Sequence, residues 1–162
     1  MQPKGYIPIR AGMLPLSHFD KGVHQAMDTT EVSRAVVQGI YDAALSGDRE
    51  KQLSYIDENI VVCPPPYFPW AGPHNSRDLW QQNAIPLIRG VHDYARMKFE
   101  YLAEGDKCLA MIHLGLAGSD DEVYYWEMWT VRDGKAVSLQ VFCWDPRPVH
   151  KQIDRLGIKA PS

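Results

Sequence analysis

The sequence predicts an α+β fold in which helices cover one face of a curved antiparallel sheet. Three observations carry the prediction. The second half holds three stretches of period-two alternation, Lys107–Ala117, Val123–Arg132 and Lys135–Asp145. The first half holds apolar residues at three- and four-residue spacing between Thr30 and Ser46. Asp133-Gly134 joins the last two alternating stretches, and Asp-Gly supplies the positive φ that both central residues of a type I′ hairpin turn require.

In chain order, residues 1–28 mix Pro, Gly, His and apolar residues without a period, and read as an arm packed over the domain or against a partner. Thr29 or Thr30 is placed to cap the first helix, whose apolar face is Val32, Ala35, Val36, Gly39, Ile40, Ala43 and Ala44, with Tyr41 at its edge. Ser46-Gly47-Asp48 stops it. A short helix over Arg49–Ile56 and a strand over Asn59–Cys63 follow, and Pro64-Pro65-Pro66 ends the strand because proline has no ladder donor. The loop Pro64–Asn75 carries Tyr67, Phe68 and Trp70, which either plug the core or wall a pocket. Ser76 caps a third helix to about Arg89, kinked at Pro86. Met97–Ala103 is a strand, Gly105-Asp106 turns the chain into the alternating meander, and residues 147–162 form a tail with a short amphipathic pattern. The domain itself spans 29–146.

At 162 residues the chain fits one domain. A net charge of -3 and the lack of a Lys/Arg run speak against nucleic acid and against a polybasic membrane patch. Cys63, Cys108 and Cys143 are odd in number and widely spaced, which suits a reducing cytoplasm better than a disulfide framework. The start has no apolar signal region and no window is long enough to span a membrane, so a soluble, unprocessed protein is expected. No His or Cys spacing matches a metal site, and no acyl-serine, phosphate-loop or dinucleotide motif occurs.

Within the middle alternating stretch, Val123, Tyr125, Glu127, Trp129 and Val131 share one face, and Tyr124, Trp126, Met128 and Thr130 the other. A carboxylate thus sits in an aromatic row. A symmetric loop over Gly118–Glu122 sets His113 opposite Glu127, where imidazole and carboxyl can share a proton. A two-residue turn pairs Arg132 with Lys135 and sets Gln140 opposite Glu127, which brings Phe142 and Trp144 to the pocket face; a three-residue turn would bring Leu139, Val141, Cys143 and Asp145 instead. The shorter turn is the expectation. Asp145 then reads as a strand-end cap or a lesser catalytic candidate.

Two stretches carry a family resemblance: Val36–Pro64, with the run "IYDAALSGDREKQLSYIDENIVVCP", and Trp126–Asp145, "WEMWTVRDGKAVSLQVFCWD", with "PWAGPHNSRDLW" between them. Together they resemble the SnoaL-like branch of the superfamily that includes ketosteroid isomerase and nuclear transport factor 2. The resemblance covers roughly Thr30 to Asp145. It implies a cone-shaped curved antiparallel sheet with three helices packed on its concave side, a deep cavity between them, frequent dimerisation, and acid–base chemistry without a metal or organic cofactor. Carried over by position, Glu127 resembles the protonated acid of ketosteroid isomerase. The isomerase's tyrosine falls near Ile40–Tyr41, and its base falls at about Cys63 or Pro64, where no carboxylate stands. In SnoaL-like cyclases the acid/base resembles Glu127, and a terminal Trp-Asp resembles Trp144-Asp145.

The expectation that follows is a cofactor-free cyclase, dehydratase or isomerase acting on a small hydrophobic or aromatic oxygenated molecule. Glu127 and His113 would shuttle the proton, with Asp145 in reserve. Tyr41, Tyr67, Trp70, Tyr125, Trp129, Phe142 and Trp144 would wall the site. A binding protein or structural dimer of the same fold is the rival. The expected partners are a small-molecule ligand and a second copy of the chain; the face bearing Tyr124, Trp126 and Met128 would be covered by that copy or by the arm over residues 1–28, and a homodimer is the expectation.

Overall fold

A computed structural model describes residues 20–159, with side chains from residue 29 onward. Most of the expected N-terminal arm, and the last three residues of the tail, lie outside the described residues. The elements are α1 (Asp20–Ser46), α2 (Arg49–Ser54), β1 (Ile56–Cys63), α3 (Arg77–Asn83), α4 (Ile85–Val91), β2 (His92–Glu104), β3 (Lys107–Leu116), β4 (Glu122–Arg132), β5 (Lys135–Cys143) and α5 (Arg147–Leu156). The expected class is found: an α+β fold with one five-stranded sheet and helices against it.

The strand order is β1-β5-β4-β3-β2. Strands β2 to β5 form the antiparallel meander, but β1 runs parallel to β5, so the sheet is mixed rather than wholly antiparallel. Consecutive strands β1 and β2 therefore lie on opposite edges. The chain between them has to cross the whole face of the sheet, and it takes α3 and α4 with it. This crossing, rather than any single contact, encloses space between helices and sheet.

Helix α1 begins within the segment expected as an arm, eight residues before Asp28. Its buried face is Ser33, Val36, Val37, Ile40, Tyr41 and Ala43, while Val32 is exposed. The face is thus rotated relative to the apolar pattern, and Tyr41 moves from its edge to its centre. Two polar anchors set the rotation. Ser33 Oγ donates to the Gly105 carbonyl at 2.8 Å, and Thr30 Oγ1 accepts from the Gly105 amide at 2.9 Å, which ties the helix to the β2–β3 turn.

Pro86 divides the expected third helix instead of kinking it. It stands in the first turn of α4, where its missing N–H costs nothing, and Ala84 joins the two pieces. The triple proline ends β1 as expected. A bridge between Val62 and His74, bonded in both directions at 2.9 Å, then fastens the aromatic loop back onto the strand.

Register decides which side chains look inward, and here two expectations fail. The β3–β4 connection is shorter than a symmetric loop over Gly118–Glu122: the Leu116 amide bonds the Asp121 carbonyl, and Gly118 takes φ 63°. Glu127 consequently faces Ala110, and His113 faces Tyr124. A shift of odd parity turns every β3 side chain over. The β4–β5 turn is the expected two-residue one, with Asp133 and Gly134 at φ 49° and 73° and Arg132 opposite Lys135. Beyond it the ladder slips between Thr130 and Val131, where Thr130 pairs with Ser138 and Val131 with Ala136, leaving Val137 as the extra residue. Glu127 therefore faces Val141 rather than Gln140. The bulge delivers Leu139, Val141 and Cys143 to the inner face despite the shorter turn.

The tail forms α5, which buries Val149 and Ile153 and ends at Gly157 in the left-handed conformation. Gln152 donates to the Ala117 carbonyl at 2.7 Å, and Arg155 donates to the Ala117 and Gly118 carbonyls. These bonds clamp the β3–β4 turn.

Gly134 has open space where a Cβ would sit, so Gly134→Ala isolates the backbone cost of its positive φ. Urea unfolding of this variant is expected to show a loss of about 1 kcal/mol with an unchanged m-value.

Candidate active site

The space beneath the crossing segment is a cavity of about 110 Å³. Its walls are almost wholly apolar: Ile40 and Ala44 from α1, Trp80 from α3, Ile85 and Ile88 from α4, Trp70 from the aromatic loop, and Ile112, Leu114, Trp129, Leu139 and Val141 from the sheet. Glu127 is the one carboxylate in this lining.

Glu127 is held by a chain of donors. Tyr41 Oη donates to Glu127 Oε2, and Trp129 Nε1 donates to Tyr41 Oη at 3.2 Å. An indole nitrogen can only donate, so the tyrosine proton is directed to the carboxyl. The carboxyl group lies in the lining of the cavity. Burial pushes Glu127 up to about 7, and the hydrogen bonds from Tyr41 and Trp129 pull the other way without overcoming it. Burial and the neighbouring carboxylate together raise Tyr41 well above the usual phenol range, so it remains a proton donor in a hydrogen bond rather than an acid.

A second polar pair lines the same cavity. His92 Nδ1 donates to the Ile88 carbonyl at 2.7 Å, which leaves Nε2 as the acceptor of the Tyr125 hydroxyl at 2.9 Å. Burial lowers His92 to about 4, so the ring is neutral at physiological pH. Tyr94 also lines the cavity, its phenol raised by burial and by Glu127.

The structure therefore brings together Tyr41, Trp70, Tyr125, Glu127 and Trp129 from the sequence-based set. It does not bring the others. His113 lies on the opposite face of the sheet, stacked on Tyr124 at 4.2 Å with Nε2 2.6 Å from Glu122. Phe142 and Trp144 are on that outer face too, and Trp144 is 75% exposed. The bulge at Val137 explains their displacement. Tyr67 is turned outward against Phe68 and His150, while Phe68 packs inward at 4.9 Å from Trp70. Asp145 accepts from the Arg147 backbone amide and guanidinium, which hold it down at about 2; it is a fixed anion at the start of α5, outside the cavity lining. Sequence reasoning misses His92, because the strand is expected to begin only at Met97 whereas β2 begins at His92 itself. Its position four residues after Ile88, at the end of a helix, was the available signal. Among the described residues no group of three or more His, Cys, Asp or Glu could hold a metal ion. None of their helices is long and apolar enough to cross a membrane.

No family model matches the sequence, and no curated protein matches it significantly. Solved structures do match the fold. An NTF2-like protein from Burkholderia thailandensis superposes with a TM-score of 0.62 at 22% identity over 75% of this chain and 96% of that one. A candidate ketosteroid isomerase from Kribbella flavida gives 0.58 at 18% identity over 72% and 80%. TerC, co-crystallised with polyporic acid, gives 0.61 at 17% identity over 76% and 98%. The fold is thus NTF2-like, as the sequence resemblance implied.

The raised Glu127 pKa has a consequence for stability. The folded state binds this proton more tightly than the unfolded chain, so Glu127 favours folding at low pH and loses that contribution as pH rises from about 4.5 to about 7. His92, lowered from 6.5 to about 4, acts oppositely as pH falls through that range. Comparing wild type with Glu127→Gln cancels the histidine. The variant is expected to gain stability relative to wild type between pH 5 and pH 8, read as the difference in melting temperature; a constant difference refutes the raised pKa.

Proposed function

We propose that the cavity is the active site of a cofactor-free acid–base enzyme, of the cyclase, dehydratase or isomerase type, acting on a small hydrophobic or aromatic oxygenated molecule. The observation that carries this reading is Glu127: a half-buried carboxyl lining a mainly apolar chamber, oriented by Tyr41 and poised near neutrality. The ionised carboxylate takes a proton from an acidified C–H or O–H of the substrate, and the protonated carboxyl returns it to a different atom. One carboxyl serves as base and then as acid, which suits an isomerisation or a dehydration through an enol. The fold shared with a candidate ketosteroid isomerase and with TerC, co-crystallised with polyporic acid, supports a small-molecule site. Tyr41 replaces His113 as the partner of Glu127 in this mechanism.

A carrier is the second reading, favoured by the lack of another carboxylate in the lining. Deuterium exchange separates the two. A panel of small cyclic and aryl ketones is followed by NMR for exchange α to the carbonyl. An enzyme accelerates exchange of at least one, and Glu127→Gln lowers that rate by about 10²–10⁴-fold with binding retained. Binding without accelerated exchange favours the carrier. Tyr41→Phe removes a hydrogen bond that stabilises the carboxylate, so the lower limb of the pH–rate profile is expected to move upward from about 7.

We further propose that a second copy of the chain covers the outer face of the sheet. Tyr124 and Trp126 on β4 and Phe142 on β5 are about half exposed and contiguous with Trp144, whose ring lies 5.8 Å from Trp126. Such a patch on the middle of a sheet is larger than isolated surface apolar residues account for. Sedimentation at micromolar concentration is expected to give a dimer that Trp126→Glu converts to monomer. A monomeric wild type, with the N-terminal residues required for stability, assigns the cover to the arm.

A further inference from the structure

Tyr125 and Glu127 stand two residues apart on one face of β4, so their side chains enter the cavity roughly 7 Å apart. The rest of the lining is mainly apolar, with Gln52 and the Tyr94 phenol, which lies near Glu127, as its further polar groups. The chamber therefore has two polar ends of different chemistry, and hydrogen-bond direction fixes what each can accept. Tyr125 has one proton, which goes to His92 Nε2 because Nδ1–H of that ring is used by the Ile88 carbonyl. Its oxygen is left only as an acceptor. Cys143, across the ladder from Tyr125, and the Tyr94 phenol also lie near this hydroxyl, and a thiol is a weak donor. At the other end, Glu127 accepts when ionised and donates when protonated.

We propose that the site takes a single-ring substrate with oxygen functions at both ends: a hydroxyl that donates to Tyr125 and a carbonyl or enol oxygen at Glu127. The proposal rests on the acid–base reading of the same cavity and adds to it the substrate class. The His92–Tyr125 pair acts as a specificity element. It fixes the hydroxyl end so that the carbonyl end meets the Glu127 carboxyl, and it takes no proton from the substrate. A ligand without that hydroxyl leaves the tyrosine oxygen facing an apolar group, and the mismatch lowers affinity.

The test uses binding rather than turnover. The probes are 4-hydroxybenzaldehyde and 4-methylbenzaldehyde, in which a methyl group fills the space of the hydroxyl; titration is followed through tryptophan fluorescence, Trp70, Trp80 and Trp129 being in the lining, and confirmed by calorimetry. Wild type is expected to prefer the hydroxyl compound by about tenfold. Tyr125→Phe brings the two within about twofold of each other. Should that variant fail to fold, His92→Leu serves: it frees the Tyr125 proton for donation and shifts the preference to terephthalaldehyde, which carries a carbonyl at the same place. Equal binding of the first two probes to wild type, a preference that survives both substitutions, or no binding of either probe overturns the proposal. Glu127→Gln retains the hydroxyl preference while losing proton exchange, so failure of this inference and failure of the catalytic reading are told apart.

Discussion

The hydrogen bond from Tyr41 to Glu127 is the constraint on which the interior is arranged. A carboxyl cannot be placed in an apolar chamber without a partner, because the lost hydration is not recovered from carbon. The partner comes from α1, some 86 positions away along the chain, so the pair fixes the helix against β4. Trp129, almost fully buried, supplies the third member and orients the phenol. Rotation of α1 about its axis, tilt against the sheet and ionisation of Glu127 are thereby coupled. A helix placed only by its apolar face would have left Tyr41 at the rim.

The enclosure around this pair follows from topology. With β1 and β2 on opposite edges, the crossing chain is obliged to roof the sheet, and Pro86 breaks the roof into two short helices that bend over it. Phe68 and Trp70 close the remaining gap, held by the Val62–His74 bridge. This is also what moves Glu127 toward neutrality: the same residues that wall the chamber remove the solvent that would keep the carboxylate charged.

The sequence made the fold class, the hairpin turn and the inward face of β4 legible, because each rests on local chemistry: alternation, Asp-Gly and triple proline. The partners of Glu127 were less accessible. Their identity depends on parity, and parity is changed by a single residue. A β3–β4 register three residues from the symmetric guess sent His113 to the outer face, and the bulge at Val137 sent Phe142 and Trp144 after it although the turn itself is the expected one. A bulge carries no strong signal of its own, as Val137 is an ordinary strand residue. Tyr41 was visible only by its family position and by its place at the margin of a helical pattern; polar anchoring at Ser33 and Thr30, which no hydrophobic period records, made it central.

What the arrangement permits chemically is set by proton count. In the lining, Glu127 is the group that changes charge near neutral pH, since His92 stays neutral and the buried phenols stay protonated. A mechanism needing separate acid and base at once has no second titrating group to draw on there. A mechanism that moves one proton from one atom to another, with the same carboxyl as its intermediate holder, needs none. The donor chain favours the second. Tyr41 steadies the carboxylate after it forms without giving up its own proton, and Trp129 keeps the phenol from turning away. Burial raises the carboxyl toward neutrality and the two hydrogen bonds hold it back, so both of its protonation states lie within reach near neutral pH.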